Sequence, residues 1–161
     1  LLTDDRATTE IIADGVHLAP PLLRLVLRAR LARDVALVTD AMPAAGLSDG
    51  EYDFLQRTVF VRGGAARLAN GALAGSTLTL DQAVRNMVKY AGVAWATAIE
   101  MATATPARIG GIDARKGRLA PHYDADIVAL DAEGRVVRTW TRGTLAYAAN
   151  GSEHATESLS L

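Results

Sequence analysis

Apolar and polar positions follow three textures along the chain. In the first, the apolar run is continuous: Glu10-Ile11-Ile12-Ala13 ahead of an Asp14-Gly15 turn, and Val35-Ala36-Leu37-Val38 ahead of Thr39-Asp40. Short runs of this kind mark strands covered on both faces. Between them, Pro20 and Pro21 suit the first turn of a helix, where a missing N–H costs nothing. Leu22, Leu23, Leu25, Val26, Leu27 and Leu31 give that helix a broad apolar face, and Arg24, Arg28 and Arg30 read as its solvated side. Strand, helix, strand predicts a βαβ unit. From Asp49 to Asn70 the pattern alternates around turn signals such as Gly63-Gly64, which predicts a small β excursion with hairpin character. The small-residue stretch Gly71 to Thr77 reads as a loop. Helical periodicity follows, with Thr79 as a possible N-cap and Leu80, Ala83, Val84, Met87 and Val88 on one face to about Tyr90. A second helix is expected from Trp95 to Ala104, and a helical turn over Pro106 to Ile109. The third texture, from Ala125 to Thr141, predicts two or three antiparallel strands, too few to form a stable sheet alone. The polar end beyond Asn150 reads as a frayed tail.

Composition narrows the function classes. The chain has 161 residues, half of them apolar and 22% charged, and a mean hydropathy of +0.13, which describes a globular chain and excludes a disordered one. Its length fits one domain or pieces of two, and falls short of the roughly 250 residues of a complete (β/α)8 barrel. Seventeen Lys and Arg against 18 Asp and Glu give a net charge of −1, so no overall basic field draws nucleic acid or an anionic membrane. No cysteine is present, which removes disulfides, thiolate metal sites and cysteine nucleophiles and favours a cytoplasmic location. No apolar run approaches the ~20 residues of a membrane span. The opening Leu1-Leu2-Thr3-Asp4-Asp5 lacks an initiator Met and enters a core strand within ten residues, so the chain reads as a piece of a longer protein.

Chemistry concentrates at the ends of the two continuous strands. Asp40 directly follows Val35 to Thr39, and in α/β folds the C-terminal strand ends face the active site. An Asp in this position equally well caps the following turn, and position alone leaves the two readings even. His17 follows the equivalent end of the first strand, so a βαβ arrangement puts it on the same rim as Asp40; a structural histidine is the alternative. His122 and His154 fall in a linker and in the tail, at no spacing that would make a metal site with His17. Leu73, Ala74 and Gly75 belong to a small-residue stretch ahead of a helix, where backbone N–H groups can approach an anion or a sugar. That stretch matches neither the dinucleotide fingerprint nor the P-loop, and a plain turn with a cap is the other reading.

Four segments taken together carry a family resemblance: Ile11-Ile12-Ala13-Asp14-Gly15-Val16-His17, Leu37-Val38-Thr39-Asp40-Ala41, Gly71 to Thr79, and Met101 to Arg108. In order and spacing the chain resembles the N-acetylglucosamine-6-phosphate deacetylase family of the amidohydrolase superfamily, from about Ile11 to Gly143. The tail pattern Gly117-Arg118-Leu119 with Asp124-Ala125-Asp126-Ile127-Val128 is shared more widely among amidohydrolases.

The resemblance implies an α/β fold, the C-terminal part of a (β/α)8 TIM barrel plus strands of a small β-sandwich. Residues 1–112 would belong to the barrel, with the β-hairpin excursion at about 50–70, residues 113–148 to the sandwich, and residues 149–161 to a flexible tail. It implies a cytoplasmic, homodimeric hydrolase of amino-sugar catabolism that removes acetate from N-acetylglucosamine 6-phosphate with the help of a divalent metal, zinc or iron. Asp40 matches the family's catalytic Asp, His17 a histidine that contacts the substrate sugar, and Leu73, Ala74 and Gly75 a loop lining the same pocket. The family's metal ligands and its phosphate-binding Arg have no counterpart in this sequence, so the metal would be held by residues outside this chain, and the chain alone is expected to be inactive. Two alternatives stay open: another amidohydrolase, dihydroorotase-like, sharing Asp40 and the tail, and a non-catalytic fragment lacking the metal-binding half.

Overall fold

The computed structural model describes residues 2–4 and 6–149. The expected tail, with His154, lies outside the described residues except for Ala149. By internal packing the chain divides into two compact units, Leu1–Ala102 and Thr103–Leu161.

The first unit opens with the predicted βαβ arrangement. Strands β1 (Thr9–Ile12) and β2 (Val35–Val38) pair in parallel, with Ile11 opposite Leu37 and Ile12 opposite Val38. Val35, Ala36 and Leu37 are all buried, as a continuous apolar run requires when both faces of a strand are covered. Helix α1 (Pro20–Ala29) begins on its two prolines and buries Leu23 and Val26, each worth roughly 1.5–3 kcal/mol on leaving water. Its apolar face is narrower than predicted, because Leu22 and Leu25 are about half exposed. Arg30 is a second departure. It is buried, at 6% exposure, and its guanidinium donates to the carbonyls of Asp4 (2.7 Å) and Ala7. Those carbonyls supply the partners a buried guanidinium must have.

The core beneath the parallel pair is completed by α2 (Leu80–Asn86), a π-helical turn over Met87–Ala91, and α3 (Trp95–Ala102), which contribute Ala83, Val84, Met87, Ala98 and Met101. Between β2 and α2 the chain forms a four-stranded antiparallel sheet, β3 (Gly50–Phe54), β4 (Arg57–Arg62), β5 (Ala65–Leu68) and β6 (Leu73–Ser76), in sequential order. Its alternation buries Val59, Val61 and Ala66 on one face against Met42 and Ala44. The stretch read as a loop, 71–77, is therefore mostly strand: small residues with no strand preference of their own are drawn into β6 by pairing with β5.

The second unit starts with α4 (Ala104–Ile109) and ends in an antiparallel sheet of β7 (Ile127–Leu130), β8 (Val136–Thr141) and β9 (Thr144–Ala148), the three strands expected there. Lys116 sits between Asp124 (2.8 Å) and Asp126. Hydrogen bonds from its ammonium hold both carboxyls below the usual carboxylate range. Beside it, Gly117 passes α4 at φ +87°, where an added Cβ would lie 2.8 Å from the Ala107 Cβ and 2.9 Å from the Thr103 carbonyl oxygen. Among the described residues no helix is long and apolar enough to cross a membrane.

Gly117→Ala adds a left-handed backbone penalty to that overlap, and should lower stability by about 2–4 kcal/mol. Urea unfolding of a Trp95→Phe background, in which Trp140 is the remaining tryptophan, followed by fluorescence is the check, and an unchanged midpoint would contradict the close approach.

Candidate active site

The parallel register directs the chain out of β1 and β2 at the same end, and both exits carry a carboxylate two residues past the strand: Asp14 after Ile12, Asp40 after Val38. Their environments differ completely.

Asp40 has φ +48°, a left-handed backbone that Asp tolerates better than most residues. Ser76, at the end of β6, holds it there. The Ser76 N–H donates to the Asp40 carbonyl (2.7 Å), and the Met42 N–H donates to the Ser76 carbonyl (2.8 Å). The Ser76 hydroxyl donates to the Thr39 carbonyl and accepts from the Leu78 N–H. Ser76 is 1% exposed, and these four bonds use its backbone and side chain in both directions. Gly75 lies against the same turn at φ +74°, where a Cβ would come within 2.9 Å of the Asp40 carbonyl oxygen and 3.8 Å of its Oδ2. Only a glycine fits that approach. The Asp40 side chain is exposed, and among the described residues its carboxylate makes no hydrogen bond or ion pair.

Asp14 is fully engaged. Its Oδ1 accepts the backbone N–H groups of Val16 and His17, both at 2.8 Å, and its Oδ2 lies 2.7 Å from His17 Nδ1. The Asp14 and His17 side chains are 8% and 20% exposed. Burial pushes the Asp14 carboxyl up, but the bond from the His17 ring and the two backbone N–H bonds outweigh it and hold the group below the usual carboxylate range. The strand exit is anchored from behind by Asn86, a buried residue of α2 whose Nδ2 donates to the Ala13 carbonyl at 2.7 Å and whose Oδ1 accepts from Gln82 Nε2 at 2.8 Å.

Of the residues singled out in the sequence, Asp40 and Gly75 are brought into contact, and His17 leaves the same end of the parallel pair. Leu73 pairs with Arg67 in the sheet, and Ala74 packs against the Met42 and Val59 cluster. Sequence reasoning missed Ser76, Asn86 and the partnership of Asp14 with His17. The last had a signal, an Asp three residues before a His across a glycine turn. The others tie Ser76 to the Asp40 turn and Asn86 to Ala13, more than thirty residues apart in the chain, and had none. Among the described residues no group of three or more His, Asp or Glu side chains could hold a metal ion.

Residues 2–146 match the Amidohydrolase family. An N-acetylgalactosamine-6-phosphate deacetylase of Escherichia coli is 48% identical over 145 residues, 90% of this chain and 38% of that protein. A second Escherichia coli protein carrying that activity in its name is also 48% identical, and the chain spans 86% of it. The crystal structure of N-acetylglucosamine-6-phosphate deacetylase from Thermotoga maritima superposes with a TM-score of 0.86 at 36% identity, over 92% of this chain and 40% of that one. The chain thus spans about two-fifths of the length of two of these three relatives. With the family match running through both compact units, the chain belongs to the amidohydrolase family.

Proposed function

We propose that this chain is the C-terminal portion of a deacetylase of N-acetylated hexosamine 6-phosphates, the last part of a (β/α)8 barrel followed by strands of a small β-sandwich. The observation that carries the reading is the Asp40 carboxylate, exposed and, among the described residues, unpaired, beside Gly75 on a turn that Ser76 locks. A carboxylate so held has the freedom to exchange a proton and the rigidity to do so at one place. In the proposed reaction, water adds to the acetyl carbonyl as Asp40 takes its proton. The C–N bond then breaks as Asp40 returns that proton to the sugar nitrogen, which leaves as an amine only when protonated. Acetate and the hexosamine 6-phosphate are the products.

His17 and the Leu73-Ala74-Gly75 segment are assigned to the sugar. The divalent metal implied by family resemblance, zinc or iron, is assigned to residues outside this chain. The same reading makes the protein a cytoplasmic homodimer. Between the two sugars, the Escherichia coli relatives, named for the galactosamine substrate, are 48% identical, and the Thermotoga maritima protein, named for the glucosamine one, is 36% identical. The higher identity favours a galacto-configured substrate as a second reading.

Acetate release from the two N-acetylhexosamine 6-phosphates, measured with the full-length protein in the presence of zinc or iron, tests the proposal and ranks the sugars. Turnover of a cyclic ureide instead would assign the protein to a dihydroorotase-like activity, and no turnover of either would favour a non-catalytic role. Asp40→Asn should leave folding intact and lower kcat by about 10²–10⁴-fold, because the proton transfers lose their base; near-wild-type kcat would remove Asp40 from the chemistry. His17→Ala should raise KM more than it lowers kcat, and steady-state kinetics showing the opposite split would refute its role in sugar binding.

A further inference from the structure

The Asp14–His17 pair decides which atom of the histidine is left for a ligand. One carboxylate oxygen is spent on the Val16 and His17 backbone N–H groups, which seats the side chain against the turn. The other meets His17 Nδ1 at 2.7 Å. An ionised carboxylate only accepts hydrogen bonds, so the hydrogen in this contact sits on Nδ1. A neutral imidazole carries one N–H, and Nε2 is then a bare lone pair. Among the described residues Nε2 has no partner, while the ring remains one-fifth exposed.

We propose that Asp14 is a positioning residue that fixes the neutral His17 ring as its Nδ1–H tautomer, so that Nε2 meets the substrate as a hydrogen-bond acceptor and takes a ring hydroxyl of the sugar. This rests on the deacetylase reading for the identity of the ligand, and on the geometry alone for the place of the proton. It also separates two partners that residue type leaves equal. A phosphate dianion offers no hydrogen to a bare Nε2, whereas a sugar hydroxyl does, so the phosphate group is excluded as the partner of neutral His17. Asp14 acts through the ring and does not itself touch the substrate.

Asp14→Asn provides an almost isosteric test. The introduced amide keeps an oxygen for the two backbone N–H groups but presents an N–H to His17 Nδ1, which drives the ring hydrogen to Nε2 and converts the acceptor into a donor. Long-range proton–nitrogen spectra of protein labelled with 15N-histidine, recorded where the rings are neutral, should show the Nδ1–H tautomer for His17 in the wild type and the Nε2–H tautomer in the variant. A wild-type spectrum with the hydrogen on Nε2, or a mixture of both forms, overturns the proposal, and this holds even if the variant fails to fold. For the ligand, the 1-deoxy, 3-deoxy-3-fluoro and 4-deoxy-4-fluoro analogues of the N-acetylhexosamine 6-phosphates each replace one free hydroxyl by a group that cannot donate. Wild-type kcat/KM should fall about 10²-fold or more for one of them, and Asp14→Asn should narrow that ratio by about tenfold. An unchanged ratio overturns the hydroxyl assignment. If the wild type turns over no hexosamine phosphate at all, the deacetylase reading falls and the hydroxyl with it, while the spectrum still decides the place of the proton.

Discussion

Ser76 is the residue through which the parallel pair and the antiparallel sheet become one unit. Its N–H, carbonyl and hydroxyl reach Asp40, Met42, Thr39 and Leu78, so that the turn after β2 is tied at several points to the end of β6. A left-handed aspartate costs on the order of 1 kcal/mol, and each satisfied hydrogen bond returns about as much while sparing a buried polar group from going unpaired. The bonds together outweigh the strain, and the turn has one conformation available. Gly75 follows from the same contact, because the β6 backbone approaches the Asp40 carbonyl too closely for any Cβ.

The two strand exits show how one residue type takes two parts. Asp14 and Asp40 stand at matching distances past parallel strands in register. Asp14 spends both oxygens on its own turn and on His17, and becomes part of the framework. Among the described residues Asp40 is restrained through its backbone, and its side chain is exposed. Partners, more than position, separate the engaged carboxylate of Asp14 from the open one of Asp40, as in other sites where environment sets two carboxyl groups apart. Asn86 supports the first exit as Ser76 supports the second, a buried polar side chain from a distant element holding a strand-end carbonyl.

Much of this fold is legible in the chain because local pattern and tertiary demand agree. Val35 to Val38 reads as a doubly covered strand and is one, and the prolines before Leu22 start a helix where the missing N–H is harmless. Disagreement arises where a partner elsewhere overrides local preference. Leu73 to Ser76 has the composition of a loop and becomes a strand because β5 offers a ladder. Arg30 has the charge of a surface residue and is buried because the carbonyls of Asp4 and Ala7 need donors. Met87 to Ala91 keeps helical periodicity yet winds as a π turn, a change of one residue per turn that the apolar pattern does not register.

The sequence by itself determined the α/β class, the parallel pair, the trailing antiparallel strands and Asp40 as a carboxylate at a strand end, because each rests on periodicity or on neighbours within a few residues. Tertiary structure alone decided that Asp40 is clipped by Ser76 and crowded by Gly75, more than thirty residues away, and that Ala13 is held by Asn86. It also decided that His17 Nδ1 faces the Asp14 carboxylate. Spacing suggests that the two side chains can meet, but a hydrogen bond is made by distance and direction in space, and those come only with the folded turn.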